Sequence, residues 1–216
     1  MTAMAPRRRV FAIDTPGYGG SDRPSARPTI EGYARLIDEA LDLAAEGQVD
    51  LFGYHTGALI AAELARQRPD RIRRLILIGV PFLHGAEQLD WRIRLARPAA
   101  LTADLRQFEE RWNFLVSQRP LGMSLDRGFE NFVDELRSYP ANWWAHEAAF
   151  TFDVAACLAA VDQPSLIINP ANHLSAPSRL AAAALKNGVL HEVPHLENAI
   201  FDVAADELAS IMDAFL

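Results

Sequence analysis

Apolar positions along this chain fall into two alternating rhythms. Short runs at residues 10–13, 49–52, 75–78, 165–169 and 189–193 read as strands, most of them continuous enough to be covered on both faces. Between them the spacing turns helical. Over residues 29–45 it places Ile30, Tyr33, Ala34, Leu36, Ile37, Ala40, Leu41 and Leu43 along one stripe. Thr29 stands where an N-cap belongs, and Gly47 where a helix stops. An Ala/Leu-rich stretch opens at Gly57 and closes before Pro69, and another over 178–185 is stopped by Asn187-Gly188. Residues 206–216 form a terminal amphipathic helix, with Leu208, Ile211, Met212, Phe215 and Leu216 on its apolar face. Strands alternating with helices predict a parallel sheet built from right-handed crossovers.

The alternation lapses from about residue 82 to residue 160. Aromatics are dense there: Trp91, Phe108, Trp112, Phe114, Phe129, Phe132, Tyr139, Trp143, Trp144, Phe150 and Phe152. Helical spacing fits 105–116 and 129–136. Adjacent Trp143 and Trp144 cannot share one helix stripe, so one of them lines a cavity or lies on the surface.

Composition narrows the function classes. With 216 residues, half of them hydrophobic, one domain can bury a core without staples. A net charge of −7 argues against a nucleic-acid surface. The single cysteine, Cys157, excludes an intrachain disulfide and reads as a small buried hydrophobe. The basic start at Arg7-Arg8-Arg9 lacks the apolar stretch of a signal peptide, and no run reaches the ~18 apolar residues of a membrane span. A cytoplasmic protein is expected, with no nucleic acid, no membrane, and a homodimer as the assembly allowed for.

The segment Val49-Asp50-Leu51-Phe52-Gly53-Tyr54-His55-Thr56-Gly57-Ala58 runs from strand through one sharp turn into a helix. Glycines two before and two after His55 would let the chain reverse without Cβ clashes and push His55 into a strained, exposed position. In this form it resembles the nucleophile elbow, G-x-Nu-x-G, of the α/β-hydrolase superfamily, where the central residue is usually Ser, sometimes Asp or Cys. The loop Asp14-Thr15-Pro16-Gly17-Tyr18-Gly19-Gly20-Ser21-Asp22 resembles the one these proteins carry just ahead of the elbow. Order and separation of the two motifs match.

The resemblance covers nearly the whole chain from Val10. It implies a mostly parallel sheet with helices on both faces, residues 1–81 and 161–216 forming the core and 82–160 a helical cap. It also implies strands ahead of Val10, one of them lying in the sheet between the 10–13 strand and the elbow strand. Only nine residues precede Val10, so the fold is N-terminally shortened. A start downstream of the natural one is favoured over direct pairing of those two strands.

The superfamily's triad runs nucleophile, acid, histidine. The elbow assigns the first position to His55, which resemblance would make Ser. The acid position falls on His173, beside Asn172, with Pro170 in place of the usual glycine. The third falls on Asn198, four residues after Pro194, with His195 nearer the strand. His55, His173 and His195 would then converge. Three imidazoles could hold zinc with an open fourth position, but coincidence is the simpler account, and neither metal nor cofactor is expected. Asp14 caps its own loop. Glu192 and Glu197 flank the third position and could orient an imidazole, although Glu192 should point away from His191 along a strand.

Imidazole at the turn is a competent base and nucleophile. The helix N-terminus should lower its pKa and keep it neutral, while the Thr56 N–H polarises a carbonyl. An acyl-imidazole is less attractive because no second base is apparent to activate water. The expected catalytic set is His55, Thr56, His173 and Asn198, with Tyr54, Asn172, His195, Trp143 and Trp144 contacting substrate. The chemistry is ester-like hydrolysis or base-driven elimination or isomerisation of a small, neutral or apolar compound. The competing reading is a non-catalytic relative that binds a small molecule or a partner chain.

Overall fold

The computed structural model describes residues 2–98 and 102–216. In chain order its elements are α1 (Ile30–Ala44), β1 (Val49–Tyr54), α2 (Thr56–Gln67), β2 (Ile72–Ile78), α3 (Gly85–Leu95) and α4 (Arg106–Trp112). Helix α4 runs on through a π-helical turn, Asn113–Ser117. Then come α5 (Leu125–Ser138), α6 (Trp144–Ala149), α7 (Val154–Ala159), β3 (Ser165–Pro170), α8 (Ser175–Ala184), β4 (Gly188–Val193), α9 (Ile200–Val203) and α10 (Ala205–Phe215). The four strands form one sheet in the order β1-β2-β3-β4, every pair parallel. Parallel neighbours need crossovers, and the helical stretches between the apolar runs provide them.

The caps follow from the residues present. The Thr29 hydroxyl accepts from the Gly32 amide and starts α1, and Gly47 takes a φ of 70° just past its end. Along β2 and β3 successive side chains enter different cores. Leu75, Leu77 and Ile167 join α1, α2 and α7 on one face, while Ile76, Ile78, Leu166 and Ile168 join Leu208 and Met212 of α10 on the other. The sheet is therefore sandwiched between helical layers. Between β2 and β3 the chain is helical wherever it carries regular structure among the described residues, and residues 99–101 of that stretch lie outside them.

One expectation fails. Residues 10–13 form no strand, and among the described residues they make no backbone hydrogen bond. An apolar run becomes a strand only where another strand's amides and carbonyls are within reach. Here a cavity of about 830 Å³ lies between this segment and the outer edge of β1. The two do not pair, and β1 is the edge of the sheet.

Candidate active site

The carboxyl ends of β1, β2 and β3 hold the site. After β1 the chain reverses at His55, which has φ 51° and ψ −117°, a conformation costing a residue with a β-carbon about 1–3 kcal/mol. Two backbone bonds pin it. The His55 amide donates to the Ile78 carbonyl at 3.0 Å, and its own carbonyl accepts from the Ala58 amide at 2.9 Å. Gly53 is obligatory, since a β-carbon there would stand 2.3 Å from the Gly57 oxygen. Gly57 differs from expectation: a β-carbon on it would meet nothing within 4 Å, because it borders the cavity beside β1. The glycine that does make room for the turn is Gly79, past the end of β2, at φ 62°. It lies so close to His55 that a β-carbon would be 2.5 Å from the imidazole Cδ2.

The His55 ring stacks on Tyr54 with centroids 3.8 Å apart and meets the His173 ring edge-on at 6.0 Å. Among the described residues its Nε2 is buried without a hydrogen-bond partner. Burial lowers its pKa to about 4, and the neighbouring His173 and His146 push in the same direction. Near neutral pH the ring is uncharged and can accept a proton. The Thr56 and Gly57 amides open α2 and have no backbone acceptor among the described residues, as the first amides of a helix do at its positive end.

His173 sits just ahead of α8, stacked on Trp91 of α3 at 5.3 Å, and burial lowers its pKa too. The structure thus brings together His55, Thr56, Tyr54 and His173. The remaining candidates are placed otherwise. Asn172 caps its own loop, its Oδ1 accepting from the Leu174 amide at 2.9 Å. Asn198 is exposed in the loop before α9. His195 is exposed and lies 2.8 Å from Glu207 of α10 rather than beside His55. Trp143 is half-buried under the Arg27 guanidinium, 5.0 Å from its ring, and half-buried Trp144 opens α6.

Glu192 pairs with Arg179 and accepts from Asn169, so it orients no imidazole. Asp14 accepts from the Gly20 amide at 2.8 Å, as a loop cap does. Cys157 is buried, and burial raises its thiol to about 12.

Sequence reasoning missed the rest of the ring wall. Trp91 also lies 6.2 Å from Phe150, which stacks on His146 of α6 at 6.2 Å. His146 is open to solvent yet crowded, and its pKa is lowered chiefly by desolvation. Each of the three imidazoles is therefore backed by an aromatic face. The only signal available beforehand was the i, i+4 spacing of His146 and Phe150 on a helix. Among the described residues no three His, Cys, Asp or Glu side chains gather closely enough to hold a metal ion.

The family model described as the alpha/beta hydrolase fold matches residues 2–168. This chain belongs to the α/β-hydrolase fold family. It is 29% identical over 200 residues to the putative carbamate hydrolase RutD of Variovorax paradoxus, covering 87% of this chain and 73% of that protein. It is 31% identical over 99 residues to the poly(3-hydroxyalkanoate) depolymerase of Ectopseudomonas oleovorans, a match spanning 44% of this chain and only 35% of the depolymerase. Among solved structures, a hydrolase from Pseudomonas aeruginosa superposes with a TM-score of 0.77 at 21% identity, over 94% of this chain and 77% of that one. A hydrolase from Oleispira antarctica gives 0.76 at 19% identity, over 99% and 84%. These structures share the fold. The sequence relatives support hydrolase activity in general for this α/β-hydrolase.

Proposed function

We propose that this chain hydrolyses a small, neutral or apolar ester-like compound, with His55 as the base. The observation that carries the reading is the pairing of a strained, uncharged imidazole at the β1–α2 turn with a second imidazole, His173, at 6.0 Å. The two rings meet edge to face at the mouth of the turn, so a substrate reaching one imidazole also meets the other. The Thr56 amide stabilises the developing oxyanion. Helices α3–α7 act as a cap, since α3 brings Trp91 onto His173 and α6 brings His146 into the same wall. Uncharged rings lining such a wall favour an uncharged substrate. Base-driven elimination or isomerisation uses the same His55 without a covalent nucleophile.

A panel of aryl esters and lactones tests this. Turnover of at least one member, lost in His55→Ala, supports it. A fluorophosphonate probe should leave the chain unlabelled, since no serine stands at the turn.

The second reading, a non-catalytic binder, draws on a different observation. Among the described residues no carboxylate hydrogen-bonds His55 or His173, and His195 pairs with Glu207 while Asn198 is exposed. Thermal stabilisation by panel members without turnover favours that reading.

A further inference from the structure

A catalytic base is normally held to its task by a further polar group that orients it. Among the described residues His55 has none: its Nε2 lacks a hydrogen-bond partner and no carboxylate bonds the ring. What braces the ring instead is aromatic. Tyr54 stacks on it with centroids 3.8 Å apart and planes inclined by 23°. Phe201 of α9 meets Tyr54 edge-on at 5.0 Å, the planes at 86°, and meets Phe52 in the same manner at 5.7 Å. Phe52 and Tyr54 are two residues apart on β1, so their side chains share a face of the sheet and one ring can lie over both. An edge-to-face contact sets the positive rim of one ring against the negative face of the other, so it fixes an angle as well as a distance.

Helix α9 is a single turn and cannot hold its place by its own hydrogen bonds. It is fixed at three points. Ile200, 1% exposed, is buried in the core on the α10 side of the sheet. Ala199 just ahead takes a φ of 56°, which sets the direction in which the chain enters the turn. The third hold comes from the helices between β2 and β3. Arg127 Nε of α5 donates to Asp202 Oδ1 at 2.9 Å. Gly122, ahead of α5, lies close enough to Val203 that a β-carbon on it would stand 3.0 Å from Cγ1. Phe201 is thus the residue between a core anchor and a cap anchor.

We propose that α9 sets the direction of the His55 imidazole: Phe201 is a positioning residue that acts through Tyr54, and the Arg127–Asp202 pair makes its hold depend on where the cap sits. The consequence for catalysis rests on the reading of His55 as the base. A misdirected base loses rate rather than affinity, because the substrate still binds while the reacting atoms are out of line. A cap seated on α9 braces the ring, and a cap lifted from it leaves the ring free to turn.

The test observes the ring itself by NMR, in the full chain carrying isotope-labelled histidine. The His55 Cδ2–H and Cε1–H signals, assigned by their loss in His55→Asn, should lie upfield because they sit over the Tyr54 face. Phe201→Leu keeps apolar bulk but removes the ring, and should move both toward the positions of an unstacked imidazole. Phe201→Tyr keeps the ring and should leave them in place. Asp202→Asn, which removes only the charge facing Arg127, should move them in the same direction as Phe201→Leu. Both positions are exposed, so these variants should fold. On the ester panel Phe201→Leu should lower kcat about tenfold with KM nearly unchanged. The signals are read with or without turnover, so an inactive panel defeats the proposed hydrolysis and not the aromatic brace. Three results would each overturn the proposal: unmoved signals in Phe201→Leu, equal movement in Phe201→Tyr, or unmoved signals in Asp202→Asn.

Discussion

Gly79 and His55 fit against each other with no room for a methyl group between them: a β-carbon on Gly79 would stand 2.5 Å from Cδ2 and 2.8 Å from Nε2 of the imidazole. The end of one strand thereby dictates where the neighbouring turn holds its side chain. Gly79→Ala should displace the ring and strain a backbone at φ 62°, costing about 1–3 kcal/mol. If His55 is the base, turnover falls with it. Chemical denaturation and the ester panel measure both effects.

Strain at the turn can be isolated by comparing two truncations. Both His55→Ala and His55→Gly remove the imidazole, but only glycine adopts φ 51° without penalty. His55→Gly should be more stable than His55→Ala by about 1 kcal/mol, with both equally inactive. Equal melting curves would show that the turn stores nothing.

Acid should act through the imidazoles first. A histidine whose pKa is lowered in the folded state, as for His55 at about 4, binds its proton more tightly when unfolded. Its stabilising contribution is complete above the unfolded pKa of ~6.5 and is lost as pH falls from there toward the folded value. His146 and His173 shift in the same direction. Carboxylates held low by arginines, such as Glu147 and Glu192, keep their contribution to lower pH. Urea midpoints should therefore decline between pH 6.5 and 5, and His55→Asn should flatten that decline. Turnover should stay level from pH 8 to 6.

The ion pair between Arg92 of α3 and Glu147 of α6, bidentate at 2.9 and 2.6 Å, ties the helix carrying Trp91 to the one carrying His146. If these helices roof a substrate, Arg92→Ala should raise KM for bulky aryl esters about threefold or more and leave kcat nearly unchanged. Its melting temperature should fall as well, because among the described residues the buried Glu147 carboxylate is left with only the 3.9 Å contact to Arg27. Steady-state kinetics across substrate sizes would check this.

Much of the sheet is readable from the sequence because buried parallel strands leave continuous apolar runs, and Thr29 and Gly47 mark the ends of α1 through local chemistry alone. Residues 10–13 mislead for a physical reason: four apolar letters specify an extended segment, but pairing depends on whether an edge lies within reach. His55 is placed by a local motif, so its position could be named. His146 and Trp91 arrive from helices whose orientation is settled only by packing, and period alone does not tell which face turns inward. The family's triad spacing places His195 near His55, yet Glu207 on α10 captures it, a contact twelve residues away in sequence.

The alternation of β2 and β3 between two cores carries a practical consequence. Ile76 and Leu166 communicate with α10, whereas Leu77 and Ile167 face the helices that lead into the β1–α2 turn. The sheet acts as a bulkhead everywhere but at Tyr54, which packs on the α10 side and stacks on His55, so perturbations of α10 that do not reach Tyr54 should combine additively with those around His55. Exposed Ser210 on that helix is accordingly a suitable anchor for a fluorophore or a solid support, leaving the opposite layer free to work.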